Sequence, residues 1–426
     1  MTKSRIAVIG LGYVGLPLAV ALARHFSVLG YDMNRGRIVE LGRGQDRTGE
    51  VDGATLRASA LAYTADPASL RGHDVYIITV PTPVDRANRP DLGAVIAACR
   101  TVGRVLGHGA IVVLESTVYP GVTEDVCGAE LAKVSGLKAG VDFFLGYSPE
   151  RINPGDREHT VERITKVVAG ATSEIAERLA AIYGKITSGG VFVARDIRTA
   201  EAAKVIENAQ RDVNIAFINE VTTIFNRLGL SIHDVLDAAR TKWNFLPFTP
   251  GLVGGHCIGI DPFYLADLAK RLGHDPRVIL AGRAINDAMG AYVAGEIAAA
   301  IAKARPLGEA RALVLGLTFK ENVPDLRNSK VVDVVRALAG KGVAVDIHDP
   351  IADPAEAMAE YGLALLATLE GARGYDAVIG AVAHAPYLAM APEDIAAMLA
   401  RDGLLADIKG MWRRRTMPPG IRRWQL

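Results

Sequence analysis

Cysteine is scarce in this chain: three thiols in 426 residues, at Cys99, Cys127 and Cys257. An odd, widely spaced set argues against a disulfide framework and offers no C-x-x-C spacing for a metal. No metal site is therefore expected, and a reducing, cytoplasmic compartment fits best. Net charge is equally scarce, with 48 Lys and Arg against 47 Asp and Glu. Without a basic stripe, nucleic acid is not an expected partner, and the run Arg413–Arg415 is too short to change that. Low-complexity segments are absent too. One uncharged stretch, Ile6–Ala23 between Arg5 and Arg24, has the length of a membrane span. Gly10, Gly12, Gly15 and Pro17 interrupt it at the spacing of a strand–turn–helix unit, and no small-residue cleavage site follows. Neither a membrane span nor a secretory leader is expected.

What the sequence does have is length and apolar residues. At 426 residues, half of them apolar, it calls for two or three domains around sizeable cores. The first part alternates β-branched runs with helical patterns, the signature of a parallel sheet. Strands are expected at Arg5–Gly10, Val28–Asp32, Asp74–Val80, Ala110–Glu115 and Asp142–Gly146. From Arg198 to about Lys303 helical periodicity takes over, with one long helix from Thr199 past Phe225. A second α/β lobe begins near Ala310, with strands at Ala312–Leu317, Val343–His348, Asp376–Ala381 and Leu404–Ile408 and a helix at Lys330–Ala339. The expected fold is α/β: two Rossmann-like lobes, 1–197 and 306–426, joined by a helical central domain, 198–305. The second lobe echoes the first in architecture, although no glycine fingerprint opens it.

Gly10-Leu-Gly-Tyr-Val-Gly15 follows a strand and opens a helix. The first glycine permits the tight turn, the second lets backbone approach a pyrophosphate, and the third lets helix and strand pack closely. The helix N-terminus then offers its unpaired N–H groups and positive dipole end to phosphate. Asp32 ends the next strand, where a carboxylate accepts hydrogen bonds from both ribose hydroxyls and repels a 2′-phosphate. NAD is therefore the expected cofactor rather than NADP, with Arg35 and Arg37 close by as the counter-argument. The plain alternative is a glycine-rich turn beside an exposed Asp.

Gly254-Gly-His-Cys-Ile-Gly-Ile-Asp261 carries the sharpest chemical signal. A thiol in a glycine-rich bend is able to attack an aldehyde and form a thiohemiacetal, which a further oxidation converts to a thioester. Local sequence leaves two readings of Cys257 open, this nucleophile and a small buried apolar residue; Cys99 and Cys127, in alanine- and valine-rich surroundings, follow the second. Lys204 and Asn208 are four apart on the expected long helix and share a face. They read either as a solvated surface pair or as donors to an oxyanion.

Taken together these segments resemble the nucleotide-sugar dehydrogenases, a family that includes UDP-glucose and GDP-mannose dehydrogenases. The resemblance spans nearly the whole chain. It runs through Gly10–Gly15, Val80-Pro-Thr-Pro83, Glu115-Ser-Thr-Val118, Ser148-Pro-Glu-Arg151 with Asn153-Pro-Gly155, Glu201-Ala-Ala-Lys204 with Asn208, Gly254–Cys257 with Asp261, and Gly316–Lys320 followed by Asp325-Leu-Arg327. It implies an NAD-binding first lobe, a dimer-forming helical centre and a last lobe that binds the nucleotide sugar. Two successive NAD-dependent oxidations would take the C6 alcohol to an aldehyde and then, on the cysteine, to a thioester that water hydrolyses. Position by position, Cys257 resembles the nucleophile, and Lys204 and Asn208 the groups that stabilise the oxyanion. Thr117, Glu150 and Asp261 resemble the residues that orient water or handle protons. The cofactor would meet Gly10, Gly12, Tyr13, Val14, Gly15, Asp32, Arg37, Thr82, Thr117 and Arg327. The UDP-sugar would meet Glu150, Arg151, Lys204, Asn208, Phe248, Gly254 and Lys320.

Gly44–Val51, Ser148–Gly155 and Thr241–Phe248 look like the branch acting on UDP-N-acetylhexosamines, which supplies uronic acids for bacterial O-antigens and capsules, including the Vi type. UDP-GlcNAc or UDP-GalNAc is thus expected over UDP-glucose. One departure stands out: Thr249 precedes Pro250-Gly251 where the branch usually has Arg or Lys, which bears on substrate identity and catalytic strength. Two rivals remain. A β-hydroxyacid-type dehydrogenase would make one oxidation without needing Cys257 or a last α/β lobe. A non-catalytic binding protein would hold NAD or a nucleotide sugar without turnover, and Thr249 alone favours it.

Overall fold

The structure, a computed structural model, describes residues 4–85, 87–152 and 158–426. The chain divides into two compact units, Met1–Glu207 with Phe263–His274, and Asn208–Pro262 with Asp275–Leu426.

The first unit is built on an eight-stranded sheet: β1 (Arg5–Ile9), β2 (Ser27–Tyr31), β3 (Ala62–Thr64), β4 (Val75–Ile78), β5 (Ile111–Leu114), β6 (Phe144–Tyr147), β7 (Lys166–Gly170) and β8 (Val191–Val193). Their order is β3-β2-β1-β4-β5-β6-β7-β8, and only the β6–β7 pairing is antiparallel. Near-continuous Val and Ile runs are what a parallel sheet covered on both faces requires. The chain reverses its direction of strand addition at β1, which lies between β2 and β4. Helix α1 (Gly15–Ala23) buries every residue except Pro17, so the long uncharged stretch near the N-terminus is a strand and its covering helix.

The second unit carries a five-stranded, all-parallel sheet: β9 (Arg311–Leu315), β10 (Ala344–His348), β11 (Tyr375–Gly380), β12 (Leu399–Asp407) and β13 (Arg422–Gln425), in the order β10-β9-β11-β12-β13. One face packs Ala312 and Val314 against Val293 and Ile297, while the other packs Leu313 and Leu315 against Tyr387 and Trp412. Each such fully buried aliphatic side chain contributes about 1.5–3 kcal/mol. The segment between the two sheets contains no strand among the described residues. It holds α2 (Ile197–Arg227) and α3 (Asp261–Arg271), followed by α4 (Arg277–Ala302); α5 (Val331–Ala339) covers the second sheet. The fold is therefore α/β, with Rossmann-like lobes at both ends and a helical centre. Among the described residues no helix is long and apolar enough to cross a membrane.

Expected strands and the long helix appear within one to a few residues of their places, apart from β12, which begins five residues earlier. Four strands were not foreseen: β3, β7, β8 and β13. The first and third have three residues each, too few to show a period, and the last is rich in arginine.

Candidate active site

The first candidate site grows out of the turn after β1. Gly10 adopts φ +96°, a left-handed conformation open to glycine, and its N–H donates to the Tyr31 carbonyl at 2.8 Å. Gly15 is packed so closely that a Cβ would lie 1.9 Å from the Gly10 carbonyl oxygen and 2.3 Å from Thr79 Oγ1. Gly12 is different: it is exposed, and a Cβ there would meet nothing within 4 Å. The turn thus has one tight face against the sheet and one open face, which Tyr13 and Val14 flank half-buried. Asp32 sits just past β2, where its carboxylate accepts the N–H groups of Leu11 at 3.0 Å and Asn34 at 2.9 Å. An open glycine face, a helix N-terminus and a fixed carboxylate fit a dinucleotide with unphosphorylated ribose.

The charge of Arg37 is met inside the protein. Its buried guanidinium donates to the Leu11 carbonyl at 2.9 Å, to Glu40 at 2.7 Å and to Asp46 at 2.6 Å. Burial pushes the Asp46 carboxyl up, but hydrogen bonds from Thr48 and Arg37 outweigh it and leave the group below its ordinary value. In this geometry Arg37 braces the glycine turn, with two carboxylates meeting its charge. Thr82 and Thr117, both half-buried, follow β4 and β5, and Ser116 ties the two segments by donating to the Val80 carbonyl at 2.6 Å.

Glu150 lies beyond β6, buried, with one oxygen accepting the N–H groups of Arg151 and Ile152 at 2.6 Å each. Arg151 is exposed and pairs with Glu207 at 2.8 Å. The Asn153–Gly155 motif lies outside the described residues. On α2, Lys204 is buried. One turn further along the same helix is Asn208, also buried.

In the second unit the Gly254–Cys257 bend is fastened to the loop after β9. A Cβ on Gly254 would lie 2.6 Å from the Asn328 carbonyl oxygen, and one on Gly255 (φ +80°) 2.8 Å from the Phe319 ring. Asn328 Nδ2 donates to the Gly255 carbonyl at 2.9 Å. Cys257 is exposed, unlike the buried Cys99 and Cys127. Its carbonyl accepts the N–H groups of Ile260 at 3.1 Å and Asp261 at 2.9 Å, so the bend runs directly into α3. The Asp261 side chain is buried and accepts from Asn208 Nδ2 at 2.5 Å. Neighbouring His256 stands 4.0 Å from buried Asp325, which Arg327 grips with two bonds of 3.0 and 2.8 Å. Burial first, then the Arg327 charge, push His256 down to about 4, so near neutral pH it is an uncharged ring. Lys320 is half-buried beside Phe319, and its carbonyl accepts Thr318 Oγ1 at 3.0 Å. Phe248 is half-buried in a cluster with Ile218, Ile232 and Leu236, and Thr249 after it is exposed.

Comparison with known proteins decides the family. Models of the UDP-glucose/GDP-mannose dehydrogenase family match three consecutive stretches: the NAD binding domain at residues 4–187, the central domain at 198–288 and the UDP binding domain at 313–414. The chain belongs to the UDP-glucose/GDP-mannose dehydrogenase family. A UDP-N-acetyl-D-glucosamine 6-dehydrogenase of Pseudomonas aeruginosa is 52% identical over 96% of this chain and 97% of the relative. A protein of the same name from Salmonella typhi is 48% identical over 95% and 96%. Among solved structures, a UDP-D-ManNAc dehydrogenase from Pyrococcus horikoshii superposes with a TM-score of 0.88 at 32% identity, covering 98% of each chain.

This member of the UDP-glucose/GDP-mannose dehydrogenase family is an NAD-dependent nucleotide-sugar dehydrogenase, and its last lobe carries the family's UDP binding domain. NAD, when bound, supplies the hydride acceptor. The open face at Gly12, the N-terminus of α1 and Asp32 are the groups that would hold it. Two groups escaped the sequence reading. Asp46 closes the brace on Arg37 from nine positions away, and Lys166 lies against Glu150 from a strand that was not foreseen. Both are charged residues held in the interior, which local patterns do not reveal.

Proposed function

We propose that this dehydrogenase oxidises the C6 alcohol of a UDP-N-acetylhexosamine to the carboxylate, with UDP-GlcNAc the first candidate and UDP-GalNAc the second. The observation that carries the reading is the exposed thiol of Cys257, seated in a glycine bend at the entrance to α3 beside the buried Asn208–Asp261 pair. The names of the two relatives near 50% identity support the substrate and the carbon oxidised. Cys257 attacks the aldehyde to give a thiohemiacetal; loss of a second hydride leaves a thioester, and water cleaves it. Lys204 and Asn208 stabilise the oxyanion on the reacting carbon. Glu150, Thr117 and Asp261 orient the water and handle its proton. Arg327 serves the cofactor phosphates; Arg151, Phe248, Gly254 and Lys320 serve the UDP-sugar. A reducing cytoplasm suits a mechanism that depends on a thiol. The uronate product serves bacterial surface polysaccharides of the O-antigen or capsule type. The assembly is a homodimer built on the helical centre.

The test is NADH release from UDP-GlcNAc, UDP-GalNAc and UDP-glucose separately, with Cys257→Ser as control. The expected result is two NADH per sugar, confined to an N-acetylated substrate and abolished in the variant. A single NADH per sugar, insensitive to Cys257→Ser, would instead identify a one-step hydroxyacid-type enzyme. NAD binding without turnover on any substrate would identify a binding protein and point to Thr249.

A further inference from the structure

Away from the glycine turn, the first unit buries a second cluster of charge. Lys166 opens β7 with its side chain fully buried, and its ammonium lies 3.3 Å from Glu115 Oε2 and 3.5 Å from Glu150 Oε2. Glu115 directly follows β5, and its other oxygen accepts the hydroxyl of Tyr183, whose ring centroid is 5.2 Å from the same ammonium. Relative exposures are 0% for Lys166 and Tyr183, 1% for Glu115 and 7% for Glu150.

Taking one ammonium out of water is costly, and one buried carboxylate would neutralise it. The second carboxylate is surplus as structure. With both acids ionised the cluster would hold one uncompensated negative charge, which a low-dielectric interior disfavours, so one proton is retained near neutrality. Burial first, then the charge of Glu150, push Glu115 up to about 7 against the pull of Lys166. Burial pulls the Lys166 ammonium down, yet Glu115 and Glu150 outweigh it and hold the group above its ordinary value. Burial, together with the Glu115 charge, keeps Tyr183 well above the ordinary phenol range, so it remains a donor throughout.

We propose that Lys166 is a positioning residue for thioester hydrolysis, holding Glu150 in place as the base while Glu115, which shares the same ammonium, sets how firmly Glu150 is held. The inference rests on the reading that Glu150 handles the proton of the hydrolytic water. In that step the water oxygen bonds the thioester carbonyl carbon and its proton passes to Glu150. The C–S bond breaks with its electron pair on the Cys257 sulfur. The proton returns from Glu150 to that sulfur, and the new carboxylic acid ionises, releasing one proton to solvent. While Glu115 is neutral, the ammonium attends Glu150 alone; once Glu115 ionises, the ammonium is divided between two carboxylates and holds Glu150 less tightly. The titratable groups facing Glu115 are Lys166 from β7, Glu150 from the segment after β6 and Tyr183 from the helix Ser173–Tyr183.

The experiment uses the full-length protein with NAD and UDP-GlcNAc, following NADH by stopped flow and the covalent state of Cys257 by intact mass. Lys166→Met should retain the release of two NADH per active site in the first turnover. Its later turnover should fall on the order of 10²-fold, the scale of lost proton-transfer assistance, while an acyl adduct accumulates on Cys257. The parent's kcat should rise through about pH 7, and Glu115→Gln, which keeps the side chain's shape, should flatten that rise. First-turnover release and later turnover falling together in Lys166→Met would overturn the proposal, as would an unchanged pH profile in Glu115→Gln. Should Lys166→Met fail to fold, the Glu115→Gln profile decides alone. A parent enzyme that releases no NADH from UDP-GlcNAc refutes the functional reading itself, whereas a normal parent with unaffected variants removes only the role given to this cluster.

Discussion

Gly12 and Gly15 belong to one motif, yet they do opposite things. A methyl on Gly15 would drive into the Gly10 carbonyl and Thr79, both in the backbone-tight floor of the turn. A methyl on Gly12 would project into open space. Gly15→Ala should therefore cost roughly 1–3 kcal/mol of stability through overpacking and weaken NAD binding as a consequence. Gly12→Ala should leave the melting temperature unchanged while weakening NAD binding about tenfold or more, because the added group fills the face left for the pyrophosphate. Thermal melts and NAD titrations on the two variants separate these outcomes, and equal melting losses would show that Gly12 is structural too. The glycine spacing and Asp32 were legible in sequence, because both follow from what a dinucleotide turn demands of single residues. The brace on Arg37 was not. Its carboxylate partner Asp46 lies in a loop whose path no local pattern sets, so an arginine near the turn read as a ligand-facing cation.

At the scale of elements, the long helix α2 was legible from periodicity, but its buried polar positions were not, since a hydrophobic period assigns polar residues to solvent. Asp212, Asn219 and Thr222 are all fully buried. Asp212 accepts from Arg283 at 2.6 Å and from Asn286 at 2.7 Å, joining α2 to α4. Asn219 donates to the Gly251 carbonyl at 3.0 Å and accepts its N–H at 2.9 Å, so the same network fixes the segment leading to Cys257. Burial pushes the Asp212 carboxyl up and the Arg283 charge opposes it, which marks the pair as dependent on its partner. Arg283→Met leaves that carboxylate buried without its cation and should cost about 3–5 kcal/mol. The double variant Asp212→Leu with Arg283→Met should recover much of the loss, because both charges are then removed together. Urea denaturation with an unchanged slope measures both; a single variant that costs nothing would show the charges solvated in solution.

Across the whole molecule, the second lobe repeats the first at the level of backbone where no sequence repeat was visible. Gly316 after β9 has φ +98° and its N–H donates to His348, as Gly10 does after β1 to Tyr31. Asp349 after β10 accepts the N–H groups of Leu317 and Thr318 at 2.6 and 3.0 Å, much as Asp32 accepts that of Leu11. Only the backbone geometry recurs, so one glycine suffices and the three-glycine signature is missing. Surface, by contrast, is the level at which sequence says least. Phe217 and Ile224 are 60% and 51% exposed, and their spacing of seven sets them on one face of α2; Leu228, directly after the helix, is 66% exposed. Val278 at the start of α4 is 69% exposed as well. Exposed apolar side chains of this kind suit the homodimer proposed above, in which a two-fold axis would bury each of them twice. At about 1.5–3 kcal/mol per buried side chain, removing two of them from both copies exceeds the margin of most dimers. The variant Phe217→Glu with Ile224→Glu should therefore shift the mass by light scattering from twice the 45.2 kDa chain to a single chain, with far-ultraviolet dichroism unchanged. A dimer that survives both charges would place the contact on another surface and leave this apolar face for a different partner.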